Sequence, residues 1–302
     1  MSNNQYSMSN YSIKDVEQLS GIKAHTLRIW EQRYDILQPK RTDSNIRYYD
    51  DEDLKYILNI SLLNKHGYKI SKIAKMPVSK LREEVVSLTE KTTQYDDKIQ
   101  ALTICMLELD EGKFEKIIST SILQNGFETT MLNLIYPFLH RIGILWQTGT
   151  ISPAQEHFIS YLIRQKVIVA IDGQVMNDSP DAKKFMLFLP EGEWHELSLL
   201  FANYLIRKRN HQVIYLGQTL PLEDLKQAYR IHKPDTLLCV ITSTPSYEQV
   251  QKYLFDLGDE FPEATLLTTG GQLIGQGFDM PENMYLLNKI EDLIDYIEEY
   301  AA

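Results

Sequence analysis

Cysteine and long apolar runs are what this sequence has least of. Its 302 residues include two cysteines, Cys105 and Cys239. Each sits in an apolar segment with no Cys or His nearby at metal-ligand spacing, which argues against zinc knuckles and disulfide scaffolds and assigns both to buried packing. No apolar run approaches the roughly 20 residues that span a bilayer. Met1 to Asn10 is polar and lacks both the charged start and the apolar stretch of a signal peptide. A cytoplasmic location with no membrane partner is expected. Glycine and proline, at 14 and 11 residues, are too few for a collagen-like or low-complexity chain, and 43% hydrophobic with 24% charged residues is a globular composition. The length suits about two domains at ~150 residues each, and the patterns below divide it into three smaller units.

The net charge of −10 would, spread evenly, argue against nucleic acid. It is not spread evenly. Residues 1–75 hold 12 Lys and Arg against 9 Asp and Glu, whereas the remainder holds 19 against 32. A mildly basic N-terminal module ahead of an acidic body is the balance of a chain that meets phosphate at one end.

That module, residues 1–76, reads as short helices with a hairpin. Ser12 ahead of Ile13 to Leu19, with Asp15 three residues on, predicts a capped helix stopped by Ser20-Gly21. In a second helix, Ala24 to Arg33, Leu27 and Trp30 keep the spacing of a buried stripe and leave His25, Thr26, Arg28 and Arg33 on other faces. Two helices joined by a short Gly-containing turn make a helix-turn-helix. Leu37 to Arg41 and Ile46 to Tyr49 then flank Thr42-Asp43-Ser44-Asn45, a polar tetrad suited to a hairpin tip, and so to a wing. Arg28, Arg33, Lys40, Arg41 and Arg47 supply cations for phosphates, with Tyr48 as a further donor. Taken singly they read equally as solvated surface charges. The ordered string Thr26 to Tyr34, then Leu37, Pro39, Arg41 and Arg47-Tyr48-Tyr49, closely resembles the winged-helix head of MerR-type transcription regulators. The resemblance implies double-stranded promoter DNA as partner, and helices over Asp51 to Lys65 and Ile70 to Lys75 that complete the head.

Residues 77–93 read as a linker, since Pro77 follows the last helix and Ser79, Ser87, Thr89, Thr92 and Thr93 dilute the apolar content, although Leu81 to Leu88 could add a helical turn or two. Residues 94–174 read as a four-helix bundle. Ile99, Leu102, Met106 and Leu109 mark the first helix, Gly112 a candidate break, and Phe114 to Leu123 the second; a third runs from Phe127 through Trp146 with a kink at Pro137. The fourth begins with Ser152 as N-cap, Pro153 at the first position and Gln155 completing a capping box. Gly149 lies between the third and fourth helices, so Trp146 and the pair Glu156-His157 fall at one end of the bundle. An aromatic plane, a carboxylate and an imidazole can bind a flat polar ligand. A buried Trp beside a helix-start carboxylate fits the spacing too.

Residues 183–302 alternate strand and helix. Apolar runs Phe185 to Leu189, Val213 to Leu216, Thr236 to Ile241, Thr265 to Leu267 and Met284 to Leu287 are separated by helical patterns. They predict a five-stranded parallel sheet of flavodoxin-like type and so an α/β multi-domain chain. Ligands on such sheets bind at the carboxyl ends of strands, where the loops Glu191 to His195, Gly217 to Thr219, Thr242 to Ser246 and Thr268 to Gln272 are expected. His195 follows the first strand with Glu193 placed to orient it. A lone loop histidine is commonly a solvated or capping residue, and with no second His or Cys nearby it makes no zinc site. A single protein ligand suits a metal already held by a macrocycle.

Glu193-x-His195, with the hydroxyl pair Thr242-Ser243 and Gly270-Gly271, resembles the cobalamin-binding signature. Trp146, nine residues, then Glu156-His157 is similar to the adenosyl-capping motif of the CarH/LitR family of light-sensing, adenosylcobalamin-dependent repressors. The likeness runs from about Tyr11 to the C-terminus in the family's order of head, bundle and cobalamin domain. It implies adenosylcobalamin as cofactor, His195 as the lower ligand of its cobalt, and contacts from Trp146, Glu156, His157, Glu193, Gly217, Thr219, Thr242, Ser243, Gly270 and Gly271. It also implies self-association, as dimer or tetramer, that sets DNA affinity. Two positions depart from the pattern: Ser198 replaces the signature's Gly, and Gln147 stands where photosensory members carry a His. A regulator of this architecture without cofactor dependence is one alternative. A cobalamin methyl carrier is another, opposed by the DNA head and by a cap over the face that a carrier must expose.

Overall fold

A computed structural model describes residues 11–42, 45–91, 94–147, 151–175 and 181–300. The chain forms two compact units, one up to Leu162 and one from Ile163.

The first unit opens with α1 (Ile13–Ser20) and α2 (Ala24–Tyr34), the hairpin β1 (Lys40–Arg41) and β2 (Arg47–Tyr48), then α3 (Asp51–Lys65) and α4 (Ile70–Ile73). Ser12 and Asp15 form a reciprocal capping box at α1, and Asp50 with Asp53 repeats it at α3. Each box satisfies backbone donors that a helix start leaves unpaired. Tyr11 and Tyr49 pair as an antiparallel bridge and are both fully buried; their hydroxyls donate to Asp51 at 2.5 Å and Glu31 at 2.6 Å. Thr42 and Asn45 close the wing's turn through backbone bonds, and Asp43 and Ser44 of the expected tip lie outside the described residues.

The segment read as a linker with a helical turn or two over Leu81 to Leu88 is helical beyond Pro77 throughout its described part, and Thr92 and Thr93 lie outside the described residues. In α5 (Val78–Lys91), Leu81 and Val85 are buried and the helix packs on α3. Its serines and threonines dilute composition without interrupting the apolar face. Next come α6 (Tyr95–Glu108), α7 (Glu111–Asn125), α8 (Phe127–Thr130), a π-helical turn (Met131–Ile135), α9 (Tyr136–Gln147) and α10 (Pro153–Asp172). The break expected at Gly112 falls earlier. Leu109 adopts a left-handed cap with φ 52°, and Asp110 caps α7 by accepting from the Lys113 amide at 3.0 Å. The third helix is not uniform either: ahead of Pro137, which has no amide hydrogen, Tyr136 N–H reaches back to the Met131 carbonyl and widens the turn. Ser152 and Gln155 form the capping box expected at α10.

The second unit carries β3 (Lys184–Pro190), α11 (Leu197–Lys208), β4 (Gln212–Leu220), α12 (Leu222–His232), β5 (Thr236–Val240), α13 (Tyr247–Glu260), β6 (Thr265–Thr269), β7 (Met284–Leu286) and α14 (Ile290–Tyr300). The five strands are all parallel in the order β4-β3-β5-β6-β7. The chain leaves β3 for one edge and crosses back to β5, so the switch point of this flavodoxin-like order lies between the carboxyl ends of β3 and β5. Met186, Phe188, Leu237, Cys239, Val250, Leu254 and Leu266 form the core on one sheet face. Two stretches expected as loops belong to strands: Gly217 to Thr219 continue β4 past a register shift, and Thr268 and Thr269 end β6.

Gly270, with φ 127°, brings the end of β6 against that of β5, where a Cβ would stand 2.1 Å from the Ile241 carbonyl oxygen. Only glycine fits there. Around Gly271 a Cβ would meet nothing within 4 Å. Gly270→Ala is therefore expected to lose roughly 3 kcal/mol or more, or not to fold, while Gly271→Ala stays within about 0.5 kcal/mol of the parent in urea unfolding. Similar losses in the two variants would contradict this packing.

Candidate functional site

Glu193 lies three residues past the end of β3, where its amide donates to the Pro190 carbonyl. Its carboxylate is fully buried and accepts from the backbone amides of Thr242 (3.0 Å), Ser243 (2.6 Å), Thr244 (3.0 Å), Trp194 (3.0 Å) and His195 (3.1 Å), with the Ser243 hydroxyl at 3.2 Å. His195 Nδ1 lies 2.5 Å from Glu193 Oε1. Burial works against ionisation of this acid, but the hydrogen bonds from His195 and from the Ser243 and Thr244 amides outweigh it and hold the carboxyl well below the usual range. The charged carboxylate fixes the imidazole tautomer with hydrogen on Nδ1, which makes Nε2 the nitrogen that can coordinate a metal. The His195 ring is largely exposed. Among the described residues no cluster of three or more His, Cys, Asp or Glu is placed to hold a metal ion.

Thr242 and Ser243 are thus brought to the same place as Glu193 and His195. Thr219, with φ 48°, accepts from the Gly192 amide at 2.8 Å through its hydroxyl and ties β4 to the same turn. Gly217 is buried in the bulged part of β4, and Gly271 is exposed beyond β6. Ser198 is half-buried in the first turn of α11. Sequence reasoning missed the neighbouring cluster of Glu196, Arg164 and Tyr215. Glu196 pairs with Arg164 and accepts from the Tyr215 hydroxyl at 3.0 Å. Three residues from three elements leave no spacing signal. The Thr244 amide is invisible for another reason: any residue supplies an N–H.

In the first unit Trp146, near the end of α9, is 47% exposed, so it is not a core aromatic. Glu156 in the first turn of α10 receives Ser160 Oγ at 2.5 Å and faces His157 Nδ1 at 2.7 Å. A carboxylate has about four acceptor sites, so two contacts leave capacity for a ligand's donors. His157 is exposed, while Gly149 lies outside the described residues and nothing of the Gln147 side chain is described.

In the head, His25, Arg28 and Arg33 are exposed along α2 and Thr26 is half-buried beside them; Trp30, expected in the buried stripe, is half-buried too. The wing cations are not equivalent. Lys40 is paired with Asp50, and Arg41 donates to the Asn45 amide oxygen at 2.7 Å. Arg47 and Tyr48 are half-buried on β2.

Residues 11–77 match the model of the MerR HTH family of regulatory proteins, and residues 98–170 match that of a B12 binding domain. The chain is 25% identical over 267 residues to the HTH-type transcriptional repressor CarH of Myxococcus xanthus, covering 86% of this chain and 88% of that one. It is also 25% identical over 249 residues to the repressor CarA of the same organism, 81% of each. The chain carries a MerR-type HTH module and a B12-binding domain, and is homologous to these repressors. Among solved structures, the Methanosarcina barkeri monomethylamine corrinoid protein superposes on 72% of the regulator, and on 99% of its own chain, at a TM-score of 0.51 and 12% identity. At that identity the likeness concerns the fold alone, and the fold is the one read from the strand pattern. The head is the regulator's DNA-binding module, and Glu193 and His195 sit at the switch point of its sheet. Among the described residues no helix is long and apolar enough to cross a membrane.

A carboxylate whose folded pKa lies below its unfolded value stabilises the fold above the unfolded value, and that stability fades as pH falls through the folded one. Glu193→Gln also turns an amide group toward backbone donors. The variant is expected to be about 2 kcal/mol less stable than the parent near neutral pH, with the difference shrinking below the ordinary carboxylate value of 4.5. Urea unfolding across the acid range measures it, and a difference independent of pH would remove the charge from the explanation.

Proposed function

We propose that the regulator is a repressor whose operator binding is set by adenosylcobalamin, held through His195, by way of self-association. The observation that carries this reading is the buried Glu193 carboxylate fixed on His195 Nδ1 at 2.5 Å, an oriented imidazole at the switch point of a parallel sheet. The B12-binding match and the CarH and CarA relatives support the same reading. Adenosylcobalamin, when bound, supplies a cobalt–carbon bond that light can break. Glu193 keeps the imidazole in one tautomer and raises its basicity. Trp146 offers an exposed indole face to the adenosyl group, and Glu156 accepts from its hydroxyls or amine, contacts that a methyl ligand lacks. Gly270 and Gly271, with Gly217, Thr219, Thr242 and Ser243, line the sheet end against the rest of the cofactor. Position 147 carries an amide, a poor cobalt ligand, where the resembled photosensory proteins carry an imidazole. Illumination is therefore proposed to end in release of the cofactor, reversed when fresh adenosylcobalamin is added in the dark.

The test is a mobility-shift titration of operator DNA with purified protein, without cofactor, with adenosylcobalamin in the dark, and after green light. Tight binding confined to the dark, loaded state is expected, and equal binding in all three states would point to a regulator that has lost cofactor dependence. In His195→Ala, the nitrogen hyperfine splitting that a histidine ligand gives in the electron paramagnetic spectrum of divalent cobalt is expected to disappear. Its persistence would exclude His195 as the axial ligand.

For the head, His25, Thr26, Arg28, Arg33, Arg41, Arg47 and Tyr48 are the proposed DNA contacts, with Lys40 a weaker one because Asp50 holds it. Arg28→Ala with Arg33→Ala is expected to lower the slope of log affinity against log salt by about two units. Lys40→Ala is expected to change it by less than one. An unchanged slope in the double variant would rule out the phosphate role of α2.

A further inference from the structure

A small cleft, with about 70 Å3 of space open to a water-sized sphere, lies among α3, α5, α6 and α7 within the first unit. Val85, Ala101, Ile104 and Ile117 make it apolar, while Arg82, Lys98, Lys113 and Lys116 bring four cations to its lining against one carboxylate, Glu108. That carboxylate is already committed, to Lys113 at 2.7 Å and Arg82 at 3.7 Å, and Lys113 also meets Asp110 at 3.1 Å. Lys98 is different. It is 3% exposed, and its ammonium meets only neutral oxygens, Ser121 Oγ at 3.1 Å and Gln124 Oε1 at 3.3 Å. Among the described residues no carboxylate pairs with it. A buried ammonium without a counter-charge is costly to hold, and burial pulls its pKa below the ordinary lysine value.

An apolar cleft with one unmatched positive charge in its wall fits an amphipathic anion. We propose that it is an effector site for a straight-chain aliphatic monocarboxylate, whose carboxylate pairs with Lys98 while the chain lies along α6 against Ala101 and Ile104. The small volume of the cleft favours a single chain over fused rings. One lysine supported by a hydroxyl and an amide oxygen matches a single negative charge better than a phosphate dianion, for which an arginine fork or several backbone donors are usual. The lining includes Asn59 of α3, a helix of the DNA-binding head, alongside α6 and α7. An occupant would touch head and bundle at once, and the site is distinct from the residues proposed for cobalamin.

Calorimetric titration of the full-length, cobalamin-free protein with octanoate, and with octan-1-ol as the uncharged counterpart, tests this. The expected result is saturable binding of octanoate at one site. In Lys98→Met, which keeps the side chain's length, octanoate should bind roughly tenfold or more weakly while octan-1-ol is unaffected. Because removing an unpaired buried charge does not harm packing, the thermal midpoint of Lys98→Met should be unchanged or higher. Ala101→Leu, which fills the cleft, should abolish binding of both ligands and decides the matter should Lys98→Met fail to fold. Absence of saturable octanoate binding by the parent, parental affinity in Lys98→Met, or parental affinity in Ala101→Leu would each overturn the proposal.

Discussion

The Glu193 carboxylate, buried and charged, ties together the carboxyl ends of the two strands on either side of the sheet's switch point. Five backbone amides, the Ser243 hydroxyl and the His195 imidazole converge on its two oxygens. Removing any one donor leaves a buried charge less well compensated; removing the charge leaves several donors without a partner. The turn after β3, the turn after β5 and the orientation of His195 are consequently one problem with one solution.

A second buried acid organises the other unit. Asp97 at the start of α6 is fully buried and takes Lys65 at 3.0 Å and His66 at 2.7 Å, both from the end of α3. With α5 packed on α3, the DNA-binding head is joined to α6 by an ion pair and an apolar face rather than by a loose tether. Arg141, whose guanidinium donates to the Leu19 carbonyl, adds a contact from α9 to the end of α1. Groups that bind to these helices therefore act on a packed body, and the cleft lined by Lys98 lies within it.

Much of this was legible in the residues. The apolar runs Phe185 to Leu189 and Thr236 to Ile241 are continuous because central parallel strands are covered on both faces, and they fell close to β3 and β5. The caps at Ser12 and Ser152 are local chemistry, readable from four residues each. Glu193 and His195 were placed by their spacing, which a single turn preserves. What escaped depends on contacts distant in sequence. The burial of Leu81 and Val85 needs α3 beside them, so α5 looked like a polar linker. The break at Leu109 rests on a left-handed leucine that no propensity favours, whereas Gly112, three residues later, carries the local signal for a break. Gly217 to Thr219 looked like a loop because positive φ values at Gly217 and Thr219 belong to a bulged strand end. Lys40 looked available for phosphate because Asp50 is ten residues away.

Charge placement sets how strongly a single head of a chain with net charge −10 can meet DNA. Within the head, Lys23 is paired with Glu17, Lys40 with Asp50 and Lys55 with Glu52, whereas Arg28 and Arg33 on α2 face solvent. The cations that α2 turns to solvent are guanidinium groups, whose planar donors suit phosphate oxygens and base edges. A few arginines neutralise few phosphates, and each contributes less as salt rises. The acidic remainder of the chain adds a field that opposes approach to DNA. One head alone is thus a weak ligand at physiological salt. Two heads joined in one assembly convert the second binding event into an intramolecular one and gain affinity without any new contact in either head. On that arithmetic, the self-association proposed above would suffice to set operator affinity with no change in the contacts made by either head.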